Sequence, residues 1–225
     1  MRIFPRVWSP RAAAATLAIV LALGGATAIA VGYSQRRTPP PRPSAAVAGR
    51  IAPTVDRTST PRSHPARHPS TTSTPAGLSA SPPVAIRIPS IGVQSWIVGL
   101  GLNADGTVQV PGSFHVVGWY EHGAAPGQAG PAVFLGHVDS VSGPGIFYRL
   151  GAIHPGDHVV VTRRDGRSIT YVITGVRQYS KTAFPTIDVY GDTAASTIRL
   201  VTCGGVFDSS THHYLSNTVA FGQQI

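Results

Sequence analysis

Eleven of the chain's twenty prolines fall between residues 34 and 83, among Ser, Thr, Ala and Arg and almost no large apolar side chains. Such a stretch has too little apolar surface to offset the entropy of ordering it, and proline stiffens it toward extended forms. It therefore divides the chain into an N-terminal part (1–33), a disordered linker (34–83) and a C-terminal domain (84–225). Fully extended, the fifty linker residues reach about 150 Å at about 3.1 Å each; as a flexible coil they average nearer 40 Å. The linker reads as a tether that holds a domain off a surface.

Ahead of it, Arg2, Arg6 and Arg11 precede Ala12 to Gly32, twenty-one uncharged residues rich in Ala, Leu, Val and Ile. That length suffices for one membrane-spanning helix. Ala26-Thr27-Ala28 also suits a signal-peptide cleavage site, but the apolar run is longer than a usual signal core, which favours a retained anchor. Arg36, Arg37 and Arg42 follow the span and blunt the charge asymmetry that would orient it.

The formal charge of +9 belongs to the N-terminal segments. Ten Arg stand against Asp56 before Val84, whereas the domain carries eight basic and eight acidic residues. A nucleic-acid partner needs a basic face on the folded part, and none is expected. The arginine-rich tail suits anionic lipid heads or wall polymers.

Within 84–225 the pattern is mainly β. Ala85–Ile88, Trp96–Leu102, Thr107–Val110, Ala132–Leu135, His158–Thr162, Ser168–Gln178, Ile198–Thr202 and Asn217–Phe221 read as strands. Asp105-Gly106 and Asp165-Gly166 read as turns, and Phe147-Tyr148-Arg149-Leu150 as one helical turn. Many short strands with Gly/Pro punctuation point to a closed barrel or a sandwich.

Two strand ends carry the chemistry. Ile198–Thr202 runs into Cys203, the chain's one cysteine, followed by Gly204 and Gly205. Ala132–Leu135 runs into Gly136-His137-Val138-Asp139-Ser140. A lone thiol is either a buried core group or a reactive one, and a lone histidine is commonly structural. Together at strand ends beside glycine, thiol and imidazole are the minimum set for nucleophilic acyl transfer. His154 and His158 have the i, i+4 spacing, but Pro155-Gly156 forbids the helix that would aim both at one metal. No metal site or cofactor is expected.

Leu200-Val201-Thr202-Cys203 resembles the Leu-x-Thr-Cys signature of sortases, the membrane-anchored cysteine transpeptidases of Gram-positive cell walls. Phe134 to Ser140 resembles their histidine segment. Ile88-Pro89-Ser90-Ile91-Gly92-Val93, Gly101 to Gly106, Phe147-Tyr148-Arg149-Leu150 and Thr202 to Asp208 are similar to the actinobacterial class F branch. The resemblance covers about Val84 to Phe221 and implies a closed eight-stranded β-barrel with short helices. It implies Cys203 as nucleophile and His137 as acid/base. The implied substrate is a sorting-signal peptide similar to Leu-Pro-x-Thr-Gly on secreted surface proteins. The implied acyl acceptor is a peptidoglycan-precursor or pilin amine. The implied location is the cell membrane, single-pass, with the domain extracytoplasmic.

One position departs from the pattern. The family carries an arginine on the strand after the cysteine, and the aligned stretch here is Tyr214-Leu215-Ser216-Asn217, with no Lys or Arg after Cys203. Loss of one such donor costs about a hundred- to a thousandfold in rate. Candidate replacements are Asn217 and His213, which share the face of position 215, and Arg199, which shares that of Cys203 at roughly 13 Å along the strand. Trp119, Tyr120 and Thr202 are candidate groove residues. The alternative function is a weak or inactive homologue that binds peptide without completing transfer. An L,D-transpeptidase fits poorly, because Val-Thr-Cys-Gly-Gly replaces the Ser-His-Gly-Cys of those enzymes.

Overall fold

The computed structural model describes residues 39–44 and 78–225. The expected anchor and most of the expected linker lie outside the described residues. Among the described residues no helix is long and apolar enough to cross a membrane.

Ten strands follow in order: β1 (Pro83–Ile88), β2 (Val93–Leu100), β3 (Val117–Tyr120), β4 (Gly130–Leu135), β5 (Asp139–Ser140), β6 (Gly143–Pro144), β7 (His158–Arg163), β8 (Ser168–Ser180), β9 (Ser196–Asp208) and β10 (His213–Gln224). Eight of them close into a barrel in the order β1-β2-β3-β4-β9-β10-β8-β7, while β5 and β6 form a two-stranded ribbon. The pairs β2/β3 and β4/β9 are parallel; the other barrel pairs are antiparallel. The expected closed barrel is therefore present.

Alternation along the strands sorts two apolar clusters. Ile86, Ile88, Val117, Phe134, Val159, Val161, Tyr171, Ile173, Leu200 and Ala220 point inward and fill the barrel. Val133, Leu135, Val201, Val219 and Phe221 point outward and are covered by the β8–β9 connection, through Phe184, Val189 and Tyr190. That connection holds the short helix Thr186–Tyr190. Strand β4 is thus buried at all six positions, as expected of a strand covered on both faces.

Two local expectations change. Thr107–Val110 is not a strand: the Asp105-Gly106 turn forms, with Gly106 at φ 81°, but only Leu102 bridges Val108. Pro111, which has no N–H, ends any ladder there. The expected turn at Phe147–Leu150 forms, with Leu150 N–H donating to the Phe147 carbonyl at 3.0 Å, and runs on as the 3-10 turn Leu150–Ala152. Folded structure also begins before Val84, since Leu78 packs on the core and Ser81 is buried.

Candidate active site

Strands β4 and β9 run parallel, and their last paired residues are Leu135 and Val201. The ladder extends by one bond, Gly136 N–H donating to the Val201 carbonyl at 3.1 Å. His137 and Cys203 each stand two residues beyond the last pair, at the same edge of the barrel. Since β-strand side chains alternate, Cys203 shares the outward face of Val201. It is half-buried and free.

His137 is held from three directions. Its Nε2 lies 2.7 Å from the carbonyl oxygen of Pro111. A carbonyl only accepts, so Nε2 carries a proton and Nδ1 is the nitrogen left to exchange one. The ring of Phe114 lies 4.5 Å from the imidazole, tilted by 49°. The His137 carbonyl accepts from Phe147 N–H at 2.9 Å. Gly145 packs so closely on the backbone there that a Cβ would come within 2.8 Å of the His137 carbonyl carbon.

Two residues on, the Asp139 carboxylate accepts a hydrogen bond from the Tyr214 hydroxyl. Tyr214 is buried near the start of β10 and meets the Phe207 ring edge-on at 5.2 Å. This contact ties the strand after the cysteine to the segment that carries the histidine.

Residues 86–225, well over half the chain, match the sortase-domain family model. The chain belongs to the sortase family. Sortases are cysteine transpeptidases, which agrees with a thiol and an imidazole at one barrel edge. Among solved structures, a lid mutant of sortase A from Corynebacterium diphtheriae matches with a TM-score of 0.50 at 18% identity, covering 65% of this chain and 72% of that one. Pilus Island 1 sortase C2 from Group B Streptococcus matches with a TM-score of 0.48 at 20% identity, over 63% and 72% of the two chains. At 18% identity the likeness to the sortase A structure speaks for the fold alone. No curated protein matches this sortase.

The candidate donors separate in space. Asn217 of β10 is the direct cross-strand partner of Cys203 and is half-buried. His213 pairs with Asp208 at the far end of the hairpin and is exposed. Arg199 turns outward into the second apolar cluster. Its guanidinium donates to the carbonyls of Ile198 (3.0 Å) and Asp188 (3.3 Å) and lies 4.8 Å from the Phe221 ring. Burial lowers its pKa to about 10, against the pull of Asp188. The structure thus brings Asn217 to Cys203, leaves His213 exposed at the far end of the hairpin and engages Arg199 elsewhere.

Leu215 stands where two residues of β9, Gly205 and Val206, oppose one of β10. Gly205 has φ 83°, a left-handed conformation that favours glycine. Leu215 is 50% exposed at this bulge.

Of the candidate groove residues, Tyr120 lies against the outward apolar face, its ring 5.7 Å from that of Tyr190. Trp119 and Thr202 are corrected. Trp119 faces the barrel interior and uses its indole N–H on the Ala124 carbonyl. Thr202 is buried on the face opposite Cys203, its hydroxyl without a hydrogen-bond partner. Strand alternation forces both outcomes, because Tyr120 and Cys203, their immediate neighbours, take the outward positions. Sequence reasoning missed Pro111, Phe114 and Tyr214, which approach from distant segments. Asp139 stood within the histidine motif but had no role assigned. Among the described residues no cluster of His, Cys, Asp or Glu suits a metal ion.

Proposed function

We propose that this sortase is a membrane-anchored transpeptidase of the class F kind, with residues 12–32 as its anchor and the barrel outside the cytoplasm. The observation that carries the reading is the register that pairs Cys203 with Asn217 of β10 and ends β4 two residues before His137, at the same edge of the barrel. The Cys203 thiolate attacks the Thr carbonyl of a sorting peptide similar to Leu-Pro-x-Thr-Gly. As the tetrahedral intermediate collapses, the C–N bond breaks and protonated His137 gives its Nδ1 proton to the departing amine. A Cys203 thioester remains, which conserves the acyl energy for an incoming wall-precursor or pilin amine. That amine attacks, His137 takes its proton, and the thiolate leaves. Asn217 is the side chain best placed to donate to the oxyanion in place of the family arginine.

One observation favours a second reading, a weak or inactive peptide-binding sortase. Leu215 offers no donor, and the chain has no cation after Cys203. Mass spectrometry of the solubilised full chain with Leu-Pro-x-Thr-Gly-type peptides and an amine separates the two. The transpeptidase reading expects a thioester adduct or transfer product that Cys203→Ala abolishes. It expects Asn217→Ala to cut turnover by about a hundredfold or more, and Leu215→Arg to raise it. Product formed only by Leu215→Arg supports the binding reading, and unchanged turnover in Cys203→Ala overturns the mechanism.

A further inference from the structure

Gly151 sits in the 3-10 turn Leu150–Ala152, between the fully buried Leu150 and Ile153. Its φ is not positive, so its backbone conformation does not call for glycine. A neighbour does. A Cβ at position 151 would fall within the Pro41 carbonyl group, 2.7 Å from its carbon and 3.3 Å from the Cα of Arg42. These are main-chain atoms and cannot swing aside as the end of a long side chain would.

Pro40–Ser44 belongs to the same compact unit as the barrel, although it lies in the proline-rich stretch that composition alone reads as an unfolded tether. Exposure varies along it: Pro40 is buried, Pro41 and Pro43 are half-buried, and Arg42 and Ser44 are exposed. Proline has a fixed φ and loses little conformational freedom on docking, which is why proline-rich strands make good ligands for shallow seats.

We propose that the barrel surface at Gly151 is a seat for a proline-rich strand, and that the chain's own Pro40–Ser44 occupies it. The chain is then fastened to the barrel twice, at Pro40–Ser44 and again from Leu78.

Spin labels at Ser44→Cys and Arg164→Cys, in the full chain with Cys203→Ser, test the seat by their distance distribution. The expected result is one narrow distribution that broadens in Gly151→Leu. Pro40→Asp should broaden it equally, and it leaves the barrel sequence untouched should Gly151→Leu fail to fold. A broad distribution in the parent chain, or a narrow one that survives Pro40→Asp, overturns the proposal. The anchor is read separately by flotation with lipid vesicles. A chain that stays with the aqueous fraction while its label distance remains narrow loses the anchor and keeps the seat.

Discussion

The Tyr214–Asp139 hydrogen bond links β10 to the segment that carries the histidine. Neither residue is a reacting group, yet the bond fixes where the chain goes two residues after His137. A hydrogen bond to a charged group contributes about 1.5–3 kcal/mol, and displacing a reacting group by 1 Å costs about a hundredfold in rate. Tyr214→Phe keeps the ring and its contact with Phe207 while deleting the hydroxyl. We expect it to lower kcat about tenfold with KM little changed, and to leave the thermal midpoint within a few degrees. A matching loss in KM instead would mean that Tyr214 contacts substrate. This positioning pair was not legible in the sequence, because 75 residues separate its members and neither reads as more than a polar surface group. Cys203 and His137 stood out as candidates because each follows an apolar run beside a glycine. That local signature survives without knowledge of which strands pair.

At the scale of elements, the β9–β10 hairpin carries Cys203 and Asn217 on its two strands, and its tip is organised by Asp208. That carboxylate accepts from Ser210 N–H (2.8 Å), the Ser210 hydroxyl (2.7 Å) and the Thr211 hydroxyl (3.0 Å). The Ser210 hydroxyl and N–H bonds lead in lowering its pKa to about 2, from 3.8. Because the folded value is the lower one, the tip's stabilisation is complete above about pH 4 and is lost as the pH falls through 2. The Ser210 amide resonance should therefore titrate with a midpoint near 2 and lose that transition in Asp208→Asn. A midpoint at the ordinary carboxylate value would show that the tip does not engage Asp208. The hairpins at this scale were legible only in part. Asp165-Gly166 marks the β7–β8 turn, and alternating Ile169, Tyr171 and Ile173 mark β8. Strand β3 was not legible: it is four residues long, has Gly118 inside it, and pairs in parallel with β2. Gly118 is there because a Cβ would collide with the Leu100 side chain, a neighbour that only the pairing reveals.

Across the whole molecule, the barrel divides its labour between its ends. Cys203 and His137 occupy the edge where β4 finishes, and the opposite end, around the start of β9, is closed by Arg163. Arg163 is 1% exposed. It donates to the carbonyls of Pro126 (2.7 Å) and Ser79 (2.6 Å) and to the Asp165 carboxylate (2.8 Å). It thereby fastens the β3–β4 connection, the segment before β1 and the β7–β8 turn to one another. Beside it the Tyr171 hydroxyl accepts from Gly127 N–H at 3.1 Å and meets the Ser196 hydroxyl at 3.3 Å. Sequence reasoning counted Arg163 among the eight basic residues of a neutral domain; its partners are main-chain carbonyls, which leave no trace in composition. Arg163→Met keeps most of the aliphatic volume and removes all three hydrogen bonds. Bonds to a charged group at about 1.5–3 kcal/mol each, offset by relief from burying the charge, give a net loss of about 3 kcal/mol. For a domain of this size that lowers the thermal midpoint by roughly 6–12 °C. Ser196 starts β9 and Cys203 lies seven residues along it, roughly 23 Å at strand spacing, so turnover per folded molecule should stay within about twofold of the parent. Calorimetry and transfer assays on the same preparation decide the matter. A variant that melts as the parent does would mean that the guanidinium's bonds are matched by water in the unfolded chain. A stable variant with lost turnover would mean that the two ends are coupled through the barrel.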